Sequence, residues 1–126
     1  MSGPSRGYDF ATVAYDANLG TEVWSRLLDG PSHGDDHAEA VGVSPDSARV
    51  YVTGFTDGSS ASDYATVAYD SSTAHVLWTA RAGGKNYDYA TALVVSPAGD
   101  RVFVTGKYFV SPRAHQYDYG TLAYPT

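Results

Sequence analysis

The sequence predicts an all-β fold built from stacked antiparallel sheets, and three observations support this. The segment Ala11–Asp16 (Ala-Thr-Val-Ala-Tyr-Asp) returns unchanged at Ala65–Asp70, and a degraded copy closes the sequence at Gly120–Tyr124. Apolar and β-branched residues come in short runs bounded by Gly, Pro, Asn, Asp and Ser. No stretch shows a sustained helical period. We therefore expect strands and turns throughout.

Nine strands are predicted from these runs, each ending at a turn signal. They are Phe10–Tyr15, Glu22–Leu28, Ala38–Val43, Val50–Gly54, Tyr64–Tyr69, His75–Ala80, Ala90–Val95, Val102–Gly106 and Tyr119–Tyr124. Pro45 and Pro97 stand at the second position of four-residue turns, where their fixed φ suits a type I hairpin tip. Gly20 suits a left-handed turn position. Ala74 replaces it in the second copy, so that turn is predicted to differ or to be mildly strained.

The repeat has a period of 54 residues, because Trp24 returns as Trp78 at the same spacing as the strand motif. Two hairpins per period make a four-stranded unit of about fifty residues, the size of one β-propeller blade. We divide the chain into a flexible segment at 1–7 and a repeat segment at 8–126. Within it, repeat 1 covers about 8–61, repeat 2 about 62–116, and a partial third repeat 117–126.

The repeated segments resemble a known propeller family. The runs Ala14–Trp24 and Ala68–Trp78 resemble the tryptophan-docking motif of PQQ-enzyme-like β-propellers, in which an Ala, an Asp, a Thr-Gly pair and a terminal Trp recur. The hairpins Val43–Gly54 and Val95–Gly106 resemble the Ser-Pro-Asp-Gly and Tyr-Val-Thr hairpin of bacterial surface-layer (YVTN-type) propellers. The resemblance implies a bacterial propeller and an extracellular or periplasmic location. It transfers no activity, since propellers host many functions.

The phase of the repeat is unusual. In such propellers the Ser-Pro hairpin supplies strands one and two of a blade, and the hairpin ending in Trp supplies strands three and four. The chain therefore runs third-fourth, first-second-third-fourth, first-second-third, which is about two blades plus an extra strand. Since two blades cannot close a ring, we expect a homo-oligomer formed by head-to-tail blade completion. A trimer, a tetramer or an open filament would satisfy this.

Composition excludes several classes of function. The formal net charge is −6 and the eight basic residues are scattered, so no basic stripe exists for nucleic acid. Cysteine is absent, which removes disulfides, thiolate metal ligands and thiol nucleophiles. The longest apolar runs are strand-sized, so no membrane partner is expected. Residues 1–7 are small and polar, and we expect no signal peptide in this form.

Aspartates recur where strands begin. The element Asp-aromatic-Ala-Thr or a looser version of it starts at Asp9, Asp36, Asp63, Asp88 and Asp118. A carboxylate there can accept N–H groups from the preceding loop, a structural task that every copy would need. The alternative is a ring of carboxylates that binds a cation or a polyhydroxy ligand. The turn aspartates Asp16 and Asp70 are likewise interpreted as structural.

One cluster is not repeated. His33, Asp35, Asp36 and His37 fall within five residues, and their imidazoles and carboxylates could bind zinc, nickel or calcium. The second repeat lacks both histidines at this place. A solvated acidic loop is therefore favoured, and no metal is expected.

No catalytic constellation emerges from the sequence. There is no Gly-x-Ser-x-Gly elbow, no Gly-rich phosphate loop and no carboxylate pair with acid–base spacing. Trp24 and Trp78 are interpreted as blade-packing residues. PQQ is not expected, because the family's quinone enzymes need a longer chain, and no other cofactor is implied. The favoured function is a non-enzymatic, self-assembling scaffold. The alternatives are a fragment of a larger secreted propeller enzyme and a lectin-like binder. The binder would use a rim of tyrosines near the strand entries, formed by Tyr8, Tyr64, Tyr89, Tyr108, Tyr117 and Tyr119.

Overall fold

The computed structural model describes residues 7–30, 34–58, 61–84, 86–111 and 116–126, and these residues form strands and turns without a helix. Nine strands follow one another along the chain. They are β1 (Phe10–Tyr15), β2 (Glu22–Leu28), β3 (Asp36–Val43), β4 (Arg49–Asp57), β5 (Ser62–Asp70), β6 (Val76–Ala82), β7 (Tyr89–Val95), β8 (Arg101–Ser111) and β9 (Gln116–Pro125).

The strands form three sheets. The first sheet is β1-β2, the central sheet β3-β4-β5-β6 and the third sheet β7-β8-β9, with every neighbouring pair antiparallel. The all-β prediction is confirmed, and the division into two, four and three strands follows the predicted phase. The hairpin β8-β9 is longer than predicted, because pairing continues past Gly106 through Phe109 opposite Tyr117. Those two rings meet edge to face with centroids 5.1 Å apart.

The predicted turns form, and of the two alternatives predicted for the turn at Ala74 the structure shows the mildly strained one. Ser47 and Gly99 each donate an N–H to the serine carbonyl three residues earlier, at 2.9 Å, which closes the two Ser-Pro hairpin tips. Ala74 does not turn differently from Gly20, because both adopt a left-handed backbone, with φ of 62° and 69°. The second copy therefore keeps the same turn at the expense of strain in Ala74.

A β-bulge recurs in each first hairpin. The register shifts between Ala38 and Ala40 in β3 and at the equivalent place in β7. Gly54 faces the first bulge, and a Cβ there would lie 1.8 Å from the His37 carbonyl oxygen. Gly106 faces the second, where the Tyr89 carbonyl would be 2.0 Å away. Only glycine fits these two positions without a shift of the backbone.

The core lies between the sheets. One cluster joins the first and central sheets and the other joins the central and third sheets, so the central sheet is covered on both faces. The first contains Phe10, Val52, Ala65, Val67 and Tyr69. The second contains Tyr51, Tyr64, Ala68, Ala90, Val102 and Val104. Alternate residues of β5 enter opposite clusters, as the two-residue period of a strand requires.

Candidate functional site

Three equivalent strands, β1, β5 and the degraded copy β9, occur in three settings, and only β5 is buried on both faces. Val67 of β5 is 0% exposed, whereas its equivalent Val13 of β1 is 40% exposed. Tyr64 of β5 is 1% exposed, whereas its equivalent Tyr119 of β9 is 93% exposed. β5 lies between β4 and β6, while β1 pairs only with β2 and β9 only with β8. The outer strands therefore present an unpaired edge and uncovered apolar side chains.

A threonine pair shows what the first sheet lacks. In the central sheet the hydroxyls of Thr53 and Thr66 lie 3.0 Å apart, and in the third sheet those of Thr105 and Thr121 lie 3.0 Å apart. Each pair joins the second strand of a sheet to its third. Thr12 of β1 is the equivalent third-strand residue, and the described part of the chain places no strand on that side of it.

The two tryptophans occupy equivalent, half-buried positions between sheets. Trp24 packs on Tyr69 of the central sheet with ring centroids 5.8 Å apart, and its Nε1–H donates to the Ser71 carbonyl at 2.8 Å. Trp78 packs on Tyr124 of the third sheet at 5.7 Å. Its buried Nε1–H finds no acceptor among the described residues. Each tryptophan thus contacts the third strand of the following sheet.

Two of the strand-start aspartates anchor loops. Asp36 Oδ2 accepts the Gly30 N–H at 2.5 Å, and Asp88 Oδ2 accepts the Gly84 N–H at 2.9 Å. Asp88 Oδ1 accepts a further N–H, from Phe109, at 2.8 Å. Both side chains are buried. Their carboxylates therefore hold the loop that leads into the first strand of each sheet.

The turn aspartates Asp16 and Asp70 close the hairpins between third and fourth strands. Each uses Oδ1 to accept two N–H groups of its own turn, at 2.8 to 2.9 Å. These bonds from Thr73 and Ser72 hold the pKa of Asp70 below its usual value. Asp118 of β9 is exposed.

Carboxylates of neighbouring sheets approach one another at both sheet boundaries. Asp63 Oδ1 is buried without a hydrogen-bond partner among the described residues, and burial, with the nearby charge of Asp88, raises the pKa of Asp63. At the first boundary Asp9 and Asp29 approach Asp36, and one oxygen from each lies within 4.8 Å of the others. Burial, opposed by the Gly30 N–H and reinforced by Asp29 and Asp9, raises the pKa of Asp36.

The predicted cluster at His33–His37 is not one site. Asp35 and His37 point to one side of β3 and group with Asp57, whereas Asp36 points to the other side and joins Asp9 and Asp29. Successive residues of a strand alternate between faces, which adjacency in sequence conceals. His33 lies outside the described residues.

The group formed by Asp35, His37 and Asp57 is already engaged in protein contacts. Asp35 Oδ1 accepts the Tyr8 N–H at 3.1 Å, and Asp57 accepts the Ser62 hydroxyl. The His37 ring stacks on Phe55 with centroids 4.7 Å apart. These contacts give the group a structural explanation.

The predicted tyrosine rim is only partly exposed. Tyr64 is buried, its hydroxyl donates to the Gly120 carbonyl at 3.0 Å, and burial raises its pKa to about 12. Tyr108, Tyr117 and Tyr119 of the third sheet stay exposed. A surface recess of about 510 Å³ runs beside Tyr108 and Tyr119.

Comparison of the chain with protein-family models and with curated proteins finds no match. Within the described ranges, no helix is long and apolar enough to cross a membrane.

Proposed function

We propose that this chain is a non-enzymatic β-propeller repeat module that assembles with copies of itself by completing its sheets. The observation that carries the proposal is the burial of Tyr64 on β5 against the exposure of its equivalent Tyr119 on β9. The strand that lacks a neighbour has the sequence of one that is covered on both faces and paired on both edges. A fourth strand beside β9, with the next sheet of a second copy packed on its face, would give it the setting of β5, because Tyr64 is buried against the third sheet and its hydroxyl donates to the Gly120 carbonyl there.

The occupant of the β9 edge is β2 of a second copy. In the pair β5-β6, Trp78 lies opposite Ala68, and in the pair β1-β2, Trp24 lies opposite Ala14. The register shifts immediately afterwards in both pairs. Because β9 repeats the same motif, with Ala123 at the place of Ala68, β2 already has the register that β9 needs.

Pairing of β2 with a neighbour's β9 displaces the duplicate third strand β1. The exchange is head to tail, so it gives a ring where the rotation per chain closes and a filament where it does not. Two completed blades per chain correspond to a ring of about six or eight blades from three or four chains, within the usual range for propellers.

Mass in solution tests the proposal. Light scattering on the intact chain at micromolar concentration should give a discrete trimer or tetramer mass, or a filament. Tyr119→Asp should shift the mass toward the monomer, because assembly would bury that ring under the neighbouring copy's central sheet, as the equivalent Phe10 of β1 is buried under the central sheet of its own chain. Leu19→Asp is the matched control: Leu19 is 76% exposed in a turn, and its equivalent Thr73 is still exposed beside the complete central sheet.

Two truncations then identify which duplicate strand is used. Removal of residues 119–126 should abolish the oligomer, whereas removal of residues 1–15 should leave or strengthen it, because β2 is then released from β1. A folded monomer from the intact chain, or equal effects of the Tyr119 and Leu19 variants, would contradict the proposal.

A further inference from the structure

We propose that Asp9, Asp29 and Asp36 form a binding site for a divalent cation that prefers oxygen ligands, and that this cation is Ca²⁺. One carboxylate oxygen from each residue lies within 4.8 Å of the other two. A calcium ion sits about 2.3–2.6 Å from each ligand oxygen, so it can bridge oxygens up to about 5 Å apart. The three oxygens are therefore close enough for one calcium ion to contact all of them after at most a small adjustment of the side chains.

Asp36 supplies an independent reason for a ligand. Its side chain is 2% exposed, and its buried Oδ1 accepts no hydrogen bond from the residues that the structure describes. A carboxylate oxygen removed from water without a partner is destabilising, and such groups in native proteins usually have a partner or an ion. Two further carboxylates, Asp9 and Asp29, approach the Asp36 side chain, and the opposing positive charge of Arg81 acts on it more weakly than either.

The second repeat shows how the same position is satisfied without an ion. Asp88 is the equivalent of Asp36, and both of its oxygens accept N–H groups, from Gly84 and Phe109. The equivalent of Phe109 in the first repeat is Asp57, whose N–H donates instead to the Asp35 carbonyl at 2.8 Å. The Asp57 N–H, which by this comparison would satisfy Asp36 Oδ1, is therefore bonded to the Asp35 carbonyl instead.

The second repeat also lacks the third carboxylate. Gly83 stands where the first repeat has Asp29, and a Cβ at Gly83 would lie 2.2 Å from Asp63 Oδ1. The close approach of Asp63 leaves no room for a side chain there. The site is therefore specific to the boundary between the first and central sheets.

The ligand set decides between cations. The triangle offers only carboxylate oxygens, which suit Ca²⁺ and other hard ions rather than zinc, whose sites usually include nitrogen or sulfur. Mg²⁺ demands near-ideal octahedral geometry and usually keeps several of its waters, so a set of three protein carboxylates favours the more adaptable Ca²⁺. The third possibility is a proton shared among the carboxylates, with no metal at all.

Calorimetric titration of CaCl₂ into the chelator-treated intact chain tests the site. We expect one site per chain with a Kd on the order of 10⁻⁴ M, in the range of extracellular calcium modules. Asp29→Asn should weaken binding at least about tenfold through the loss of one charged ligand. Asp29 is exposed, and circular dichroism of the variant checks that the fold is kept. Glu39→Gln removes an exposed carboxylate from β3 outside the triangle and should bind as the wild type does.

Thermal melting gives a second readout. Calcium at 5 to 10 times the Kd should raise the melting temperature of the wild type and of Glu39→Gln, but not of Asp29→Asn. Absence of heat and of a melting shift would overturn the proposal in favour of the shared proton. Equal binding by Asp29→Asn, equal loss in Glu39→Gln, or tighter binding of Mg²⁺ than of Ca²⁺ would also overturn it.

Discussion

The indole Nε1–H of Trp24 donates to the carbonyl oxygen of Ser71 at 2.8 Å, across the boundary between the first and central sheets. The two residues are 47 positions apart in sequence. Trp78 lies at the equivalent place one repeat later, but its Nε1–H has no acceptor among the described residues. The chain thus contains two near-identical packing contacts that differ by one hydrogen bond.

This difference can be measured. Trp24→Phe should lower the free energy of unfolding more than Trp78→Phe does, by about 1 kcal/mol, because only the first substitution removes a net favourable hydrogen bond. Truncation of either residue to Ala should cost on the order of 3 kcal/mol through lost packing. Urea denaturation of the four variants checks both expectations. Equal losses in the two Phe variants would contradict the role of the Ser71 bond.

The Ser-Pro hairpin tips offer a reciprocal pair of substitutions. Ser47 has φ of 62° and its equivalent Gly99 has φ of 74°. Ser47→Gly should stabilise by about 0.5–1 kcal/mol, because a side chain is strained in the left-handed region. Gly99→Ala should destabilise by about 1 kcal/mol or more for the same reason, and its Cβ would also lie 3.1 Å from Pro45 Cδ. Changes of the same sign in the two melting temperatures would argue against this explanation.

The glycines that face the bulges should tolerate no side chain. Gly54→Ala and Gly106→Ala should each destabilise by about 3 kcal/mol or prevent folding, since overpacking alone costs about 1–3 kcal/mol and here the contact is with backbone. Gly84→Ala is the control, because the nearest atom to its Cβ, Tyr108 Oη, is 3.8 Å away. Circular dichroism melts separate the three variants. A well-folded Gly106→Ala would show that the bulge can move.

Asp63 should make stability depend on pH. Burial and the Asp88 charge raise the pKa of Asp63 in the folded state above its ordinary value of 3.8. At pH values between the unfolded-state pKa and the folded-state pKa, the folded state therefore binds more protons than the unfolded state. The free energy of unfolding falls as pH rises through this interval. Asp63→Asn removes the charge and should raise the melting temperature at pH 7, with a gain that shrinks toward pH 4.

The control is a second Asp→Asn substitution whose expected effect on the melting temperature at pH 7 has the opposite sign. It tests whether removal of any negative charge has the same effect. The Ser96 hydroxyl, helped by Arg101, lowers the pKa of Asp100, so that Asp100→Asn should lower the melting temperature at pH 7, with a loss that fades as pH falls. Parallel pH profiles for the two variants would contradict the assignment of these causes.

The repeat made the strands predictable, because each run of alternating apolar residues occurs at least twice with the same turn signals. The extension of β8 and β9 beyond Gly106, and of β4 and β5 beyond Gly54 to Asp57 opposite Ser62, was not predicted, since the residues there differ between the repeats. The candidate site was predicted only in part. Asp9 and Asp36 were singled out because aspartates recur at equivalent positions. Asp29 was missed because its equivalent in the second repeat is Gly83, so it does not recur.

The division of the His33–His37 cluster has a different origin. Which side of β3 Asp35 and Asp36 face depends on where the strand begins, and sequence patterns leave that boundary uncertain. Similarly, the N–H that satisfies Asp88 comes from Phe109, far along the chain, so no local pattern could reveal that Asp36 lacks its counterpart.

The uneven burial of the three equivalent strands has a kinetic consequence. Backbone amides of β5 should exchange with deuterium most slowly, because β5 is paired with a strand on both edges and covered by a sheet on both faces. Strands β1 and β9 should exchange by local fraying. Added copies of the chain would then slow exchange in β9 while leaving β5 close to its limit. The protein should therefore unfold from the first and third sheets toward the central sheet. The lifetime of the folded state should depend on how long β1 and β9 stay covered.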